Sequence, residues 1–164
     1  MISQFNELDK LFHEINDSLD RKAEFFIIGG AMLLYHNMKT STKDIDVIVE
    51  TQQEFFEIQK TLKKIKFTSR MPTEEYKKVN ISQIFIRQDF RIDLFQKIVC
   101  KGFCLTEEMK KRTLKILEFK NLSVYLCSKE DVFLFKTFTE REGDIEDCIR
   151  IIQDGIEWKI ILKE

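Results

Sequence analysis

Apolar side chains recur at Phe5, Leu8, Leu11, Phe12, Ile15 and Leu19, the three-and-four spacing that presents one stripe of a helix over residues 3–20 to a core. The pattern then changes. Residues 25–28 form an unbroken apolar run closed by Gly29-Gly30, which predicts a buried strand ending abruptly, with a helix over 31–38 behind it. Residues 45–49 read as a second strand and 52–65 as a second long amphipathic helix. Two apolar runs, 81–86 and 90–95, flank Arg87-Gln88-Asp89 and predict antiparallel strands joined by a short turn. Residues 105–112 read as helical, and 114–126 alternate on both sides of Asn121, as a hairpin or a pair of edge strands would. Ser128 opens a further helix with Asp131 at its third position, a capping pair. Gly143 is expected to break that helix, and Asp144 to cap the next, which runs toward Gln153.

Helices before, between and after the strands predict an α+β or α/β fold: a mixed β-sheet with flanking helices and further helices at the C-terminus. No repeat, low-complexity tract or linker divides the 164 residues, so one domain over 1–164 is expected. Its core would span about residues 20–100, and a C-terminal hairpin and helices about 104–164. A chain of this size can remove roughly 70% of its unfolded surface from water, so its core needs no metal or disulfide. The 27 basic and 28 acidic side chains leave a net charge of -1, which excludes nucleic-acid binding by bulk positive charge while leaving a local basic groove open.

The longest nearly apolar run, residues 25–35, contains a Gly pair and is too short to span a bilayer, and residues 1–20 lack the apolar stretch of a signal peptide. A cytoplasmic protein with no membrane association is therefore expected. Cys100, Cys104, Cys127 and Cys148 include no Cys-x-x-Cys pair, and His13 and His36 are far from them in sequence. Free thiols in a reducing compartment fit that spacing better than zinc ligands or disulfides.

The stretch that carries chemistry is Ile28-Gly29-Gly30, followed after 13 residues by Asp44-Ile45-Asp46-Val47. A strand entering two glycines and then a helix offers unencumbered backbone N–H groups of the kind that favour a phosphate. Strand alternation puts Asp44 and Asp46 on one face and Ile45, Val47 and Val49 on the other, so the apolar face can anchor the strand beneath two carboxylates. Arg91-Ile92-Asp93-Leu94-Phe95 repeats the arrangement, and if its strand lies beside the first, three carboxylates converge. Two such charges about 5 Å apart repel by roughly 3 kcal/mol at an effective dielectric near 20, so the cluster calls for a cation or a proton. Oxygen ligands without His or Cys select Mg²⁺ or Mn²⁺ over Zn²⁺.

These motifs resemble the nucleotidyltransferase superfamily that shares the fold of DNA polymerase β, whose pattern is a hydrophobic residue, Gly, then Gly or Ser, a spacer of about a dozen residues, and Asp-hydrophobic-Asp. Thr42-Lys43 resembles that family's approach to the first acidic pair, and Arg91-Ile92-Asp93-Leu94 its third acidic strand. Ser128, Asp131, Lys136, Arg141, Asp144 and Asp147 are similar to the C-terminal helical segment of small stand-alone prokaryotic members, including relatives of AbiEii-type toxins. The resemblance covers about residues 20–153. It implies transfer of a nucleoside monophosphate from an NTP, with ATP the expected donor, to a hydroxyl of a protein, RNA or small molecule, with pyrophosphate leaving. It further implies Asp44 and Asp46 as ligands of two divalent ions, and Asp93 as a ligand of the catalytic ion that helps deprotonate the acceptor. Gly29 and Gly30 would approach the triphosphate by backbone, with Thr42, Lys43, Lys136 and Arg141 as further nucleotide contacts.

Two positions depart from the pattern: Gly30 stands where many active members carry Ser, and Thr40 where close relatives often carry Arg. They motivate a rival reading, a nucleotide-binding or regulatory module that has lost transfer; a purely structural domain is the third. The small size makes a partner chain or a homodimer plausible, as in toxin–antitoxin pairs. Each residue also has a plainer reading. Asp44 and Asp46 can be acids at a solvated strand end, Arg91 and Asp93 a surface ion pair, Lys136 and Arg141 solvated helix residues, and Asp147 a partner for Arg150. The metal-site reading requires three aspartates pointing together, none locked into a scaffold ion pair.

Overall fold

The computed structural model describes residues 1–77, 79–139 and 141–164, apart from the side chains of 75 and 77. Helix α1 (Glu7–Ser18) starts later than its apolar stripe because the Glu7 carboxylate accepts from the N–H groups of Ser3 and Gln4 and from the Ser3 hydroxyl, fixing a turn ahead of it. The chain before that turn is extended: Ile2 and Thr42 exchange both backbone hydrogen bonds at 2.9 Å. Strand β1 (Ala23–Ile28) runs directly into helix α2 (Gly29–Tyr35), so the two glycines form its first turn and do not precede it. The helix ends three residues before the expected 38, where Asn37 adopts a left-handed φ of 58°.

Strand β2 (Ile45–Val49) lies where alternation placed it, and helix α3 (Gln52–Lys64) begins at a capping box in which Thr51 and Glu54 satisfy each other's N–H groups. After β3 (Thr68–Arg70) and the single turn α4 (Glu74–Lys77), strands β4 (Gln83–Arg87) and β5 (Phe90–Gln96) form the expected hairpin. A small ribbon, β6 (Ile98–Val99) and β7 (Phe103–Cys104), leads to α5 (Glu107–Lys111). Strands β8 (Leu114–Glu118) and β9 (Leu122–Leu126) pair as a hairpin. Helix α6 (Lys129–Thr137) is capped by Ser128 as expected. Gly143, however, lies inside helix α7 (Glu142–Asp154), and Asp144 is no cap but a buried residue of its first turn. The break falls earlier, after Thr137, and a last turn, α8 (Trp158–Ile161), follows.

Among the described residues seven strands make one mixed sheet in the order β3-β4-β5-β2-β1-β9-β8. Strand β2 lies antiparallel to β1 and parallel to β5, while β1 lies parallel to β9. Phe12 of α1 meets Phe25 edge-on, with ring centroids 6.2 Å apart, which places the helix on the face that carries Phe25 and Ile27. That face, with Ile45, Val47, Leu94 and Val124, is fully buried and holds the central strands in register. Register then sets the opposite face: Ile28 pairs with Asp46, and Asp46 pairs with Asp93. Among the described residues no helix is long and apolar enough to cross a membrane.

Phe12 is fully buried and Phe56, on α3, is 57% exposed. Phe12→Ala is therefore expected to lower unfolding free energy by about 3–5 kcal/mol, read from the urea midpoint. Phe56→Ala should stay within about 0.5 kcal/mol of the parent.

Candidate active site

The sheet register brings β1, β2 and β5 together at one end, where the chain leaves β1 through Gly29. Gly29 has φ +66°, a conformation costly for any residue with a side chain. A Cβ there would also stand 2.1 Å from Asp46 Oδ2. The carboxylate of Asp46 thus occupies the space that a side chain at position 29 would take. Gly30 is closed off in the same way, because a Cβ would lie 2.4 Å from Thr42 Oγ1 and 3.2 Å from Thr42 Cβ. Thr42 is buried, and its hydroxyl donates to the backbone carbonyl of Asp44 at 3.1 Å.

These residues border a cavity of about 440 Å³, a size suited to a small ligand. Gly30, Ser41, Thr42, Lys43, Asp44 and Asp46 line it together with Lys39, Lys136, Arg141, Asp144 and Asp147. The last five form an ion-pair network. Lys136, buried on α6, donates to Asp144 at 2.6 Å and pairs with Asp147 at 2.9 Å. Asp144 also accepts from Arg141 Nε at 2.6 Å and Thr139 Oγ1 at 2.5 Å. Asp147 also accepts from Lys39 at 3.1 Å and Arg150 at 2.9 Å. Burial alone would push both carboxyls up; the surrounding cations, led by Lys136, more than cancel it and hold both below the ordinary carboxylate range. Lys136 is thus buried and built into the network, whereas Arg141 is about half exposed while pairing with Asp144.

Asp46 is less compensated. Burial, then the charges of Asp44 and Asp93, push the Asp46 carboxyl well above its ordinary value, and Lys136 and Arg141 offset only part of that. Asp93 is treated differently. It is buried, and Arg91 forks onto it, with Nε and Nη2 each donating to one oxygen at 2.7 Å. Arg91 is itself held over the Tyr76 ring, 4.7 Å from its centroid, and donates to the Tyr76 hydroxyl at 3.3 Å. Burial still outweighs the fork, and the Asp93 carboxyl sits above its usual range.

The requirement that no aspartate be locked into a scaffold ion pair is therefore not met at Asp93. Among the described residues no group of three His, Cys, Asp or Glu side chains gathers closely enough to hold a metal. Arg91 and Asp93, two residues apart on one strand face, satisfy each other. What remains beside the cavity is the pair Asp44 and Asp46, the latter with its carboxyl pushed well above its ordinary value. That donor set of hard oxygens suits a divalent cation.

Sequence reasoning placed Gly29, Gly30, Thr42, Lys43, Asp44, Asp46, Asp93, Lys136 and Arg141 at a common site; all border this cavity except Gly29, which packs against Asp46, and Asp93, which is paired with Arg91. It missed Lys39, which reaches from the loop after α2 to α7, and it gave Asp147 only its Arg150 partner. A lysine next to the Thr40 departure was the available signal.

Residues 3–163 match the family model described as "Nucleotidyltransferase of unknown function (DUF6036)". Similar solved structures include ANT(2'')-Ia in complex with adenylyl-2''-tobramycin, at TM-score 0.59 and 13% identity, covering 93% of this chain and 92% of that one. Another is TM1012 of Thermotoga maritima, assigned as a nucleotidyltransferase, at TM-score 0.56 and 14% identity, covering 94% and 96%. At these identities the likeness shows a shared fold. No curated protein matches the sequence.

The opposite shifts of the buried carboxyls give a pH signature in chelator. Asp46 and Asp93 hold protons more tightly folded than unfolded, so stability is gained as pH falls through their raised values, down to the unfolded value near 3.9. Asp144 and Asp147 have depressed values, so the stability they contribute above about pH 3.9 is lost as pH falls further. The urea midpoint should rise from neutral pH toward about pH 4 and then fall, and Asp46→Asn should diminish the rise.

Proposed function

The chain belongs to the DUF6036 nucleotidyltransferase family, and on that footing we propose that it transfers a nucleoside monophosphate from an NTP, with ATP as donor, to a hydroxyl of a protein, RNA or small molecule. One observation carries the reading: Asp44 and Asp46, the latter with its carboxyl pushed well above its ordinary value, line a cavity of about 440 Å³ that Lys39, Lys43, Lys136 and Arg141 line as well. An NTP needs both features, a place for its metal and positive charge for its phosphates.

Asp44 and Asp46 would hold Mg²⁺ or Mn²⁺, which when bound stabilises charge on the attacking and leaving oxygens. The chain's own groups do the rest. Lys39, Lys136 and Arg141 complement the triphosphate, and because Asp144 and Asp147 already hold them, little ordering remains when it arrives. Gly29 and Gly30, lacking side chains, leave room for Asp46 and Thr42 to sit against the start of α2 beside the phosphates. Thr42 borders the same space, and Lys43 is exposed at its rim. Asp93 takes the acceptor side. The Arg91 fork engages one lone pair on each of its oxygens and leaves the others able to accept a proton or face a cation.

The same fork favours a second reading, a nucleotide-binding module in which Asp93 is committed to structure and transfer is weak or lost. Membership in a toxin–antitoxin pair, a partner chain or a homodimer rests on the sequence resemblance alone.

Incubation with each α-labelled NTP and Mg²⁺ or Mn²⁺ should place label on the protein, on added RNA or on a small acceptor. Asp44→Asn with Asp46→Asn should bring transfer to background. Nucleotide-dependent thermal stabilisation without label transfer in the wild type would replace this reading with the binding module.

A further inference from the structure

Resting on the nucleotidyltransferase reading, we propose that Gly30, Thr42 and Asp44 act as one positioning unit, in which the Thr42 side chain fills the space over Gly30 and its hydroxyl fixes Asp44 beside Asp46. The contacts leave little slack. A Cβ on residue 30 would lie 2.4 Å from Thr42 Oγ1 and 3.2 Å from its Cβ, distances that force something to move. The hydroxyl proton is directed at the Asp44 carbonyl, 3.1 Å away, two residues along the chain. The main chain of Thr42 is held from the other side by its paired hydrogen bonds to Ile2, both at 2.9 Å. Thr42 is thus clamped at its backbone, its volume and its hydroxyl, and only 5% of its surface is exposed.

The consequence falls on Asp44. Asp46 sits inside β2, where the sheet ladder fixes it, but Asp44 precedes the strand and has no sheet partner among the described residues. The bond from Thr42 is what ties its backbone to the site. Glycine at position 30 is then a requirement of the threonine at 42, and the absence of a hydroxyl on residue 30 follows from its presence on residue 42. Thr42 is a positioning residue: it acts on the cation site through Asp44.

Two measurements separate this from a merely structural contact. In the first, a stability cycle in EDTA compares Gly30→Ala, Thr42→Ala and the double variant. Gly30→Ala should be strongly destabilising where Thr42 is present and far less so on Thr42→Ala, because the blocking hydroxyl is gone. Additive effects overturn the pairing. In the second, MnCl₂ is titrated without nucleotide and followed by thermal shift. Thr42→Val keeps the volume and removes the hydroxyl, and should weaken apparent Mn²⁺ affinity about tenfold, the scale of one hydrogen bond. Thr42→Ser should recover most of that loss. Wild-type affinity in Thr42→Val overturns the positioning role. A wild type that shows no Mn²⁺ response at all overturns the metal-site reading of Asp44 and Asp46, whereas the EDTA cycle still decides the Gly30–Thr42 pair.

Discussion

A carboxylate oxygen of Asp46 stands where residue 29 would carry its side chain, and the rest of the site depends on that contact. It requires glycine at 29 for space as well as for a φ of +66°, and so requires β1 to turn into α2 at that residue. It also requires the β1–β2 register that sets Ile28 opposite Asp46, which the buried side chains of the other face enforce, since a one-residue slip would turn Asp46 into the core. With Asp46 fixed, the parallel β2–β5 pairing delivers Asp93 alongside it. Three negative charges are brought to one end of a sheet by apolar packing on its far side.

The chain answers those charges in two ways. Lys39, Lys136 and Arg141, which line the cavity, and Arg150, which does not, share the carboxylates of Asp144 and Asp147. Such a buried network is poor evidence of stability, because desolvation offsets much of the attraction. Its effect is to hold Lys39, Lys136 and Arg141 in place at the cavity. A ligand with several negative charges meets a surface already arranged for it.

The sequence made the sheet and the acidic pair legible because both rest on local pattern. Residues 45–49 alternate cleanly, and β2 occupies that span. The hairpins around Gln88 and Asn121 followed from apolar runs on either side of a turn. Short strands such as β3, β6 and β7 carry too few residues to show a period. Gly143 misled because an exposed glycine can be carried inside a helix whose stripe is packed elsewhere. The Lys39–Asp147 pair spans 108 positions, and no local spacing announces it. The two departures from the family pattern also make sense only in three dimensions. The hydroxyl missing at 30 has a neighbour at Thr42 that fills its place, and Lys39, one residue before Thr40, brings a cation to the same cavity.

Arg91 ties these observations together. A buried aspartate beside two others, with no counter-charge, would be too costly to keep ionised, and the fork from Arg91 supplies that charge from within the same strand. The arrangement therefore does not need a cation in order to fold. Among the described residues Asp44 and Asp46 have no such ion-pair partner: Asp46 keeps a raised carboxyl with the offsetting Lys136 and Arg141 engaged elsewhere. The difference between the two cases separates a carboxylate satisfied by the scaffold from a pair left for something to bind. Because Arg91 is anchored by the Tyr76 ring and hydroxyl, the division is held by geometry: the scaffold supplies Asp93 with a counter-charge and supplies none of that kind to Asp44 and Asp46 among the described residues.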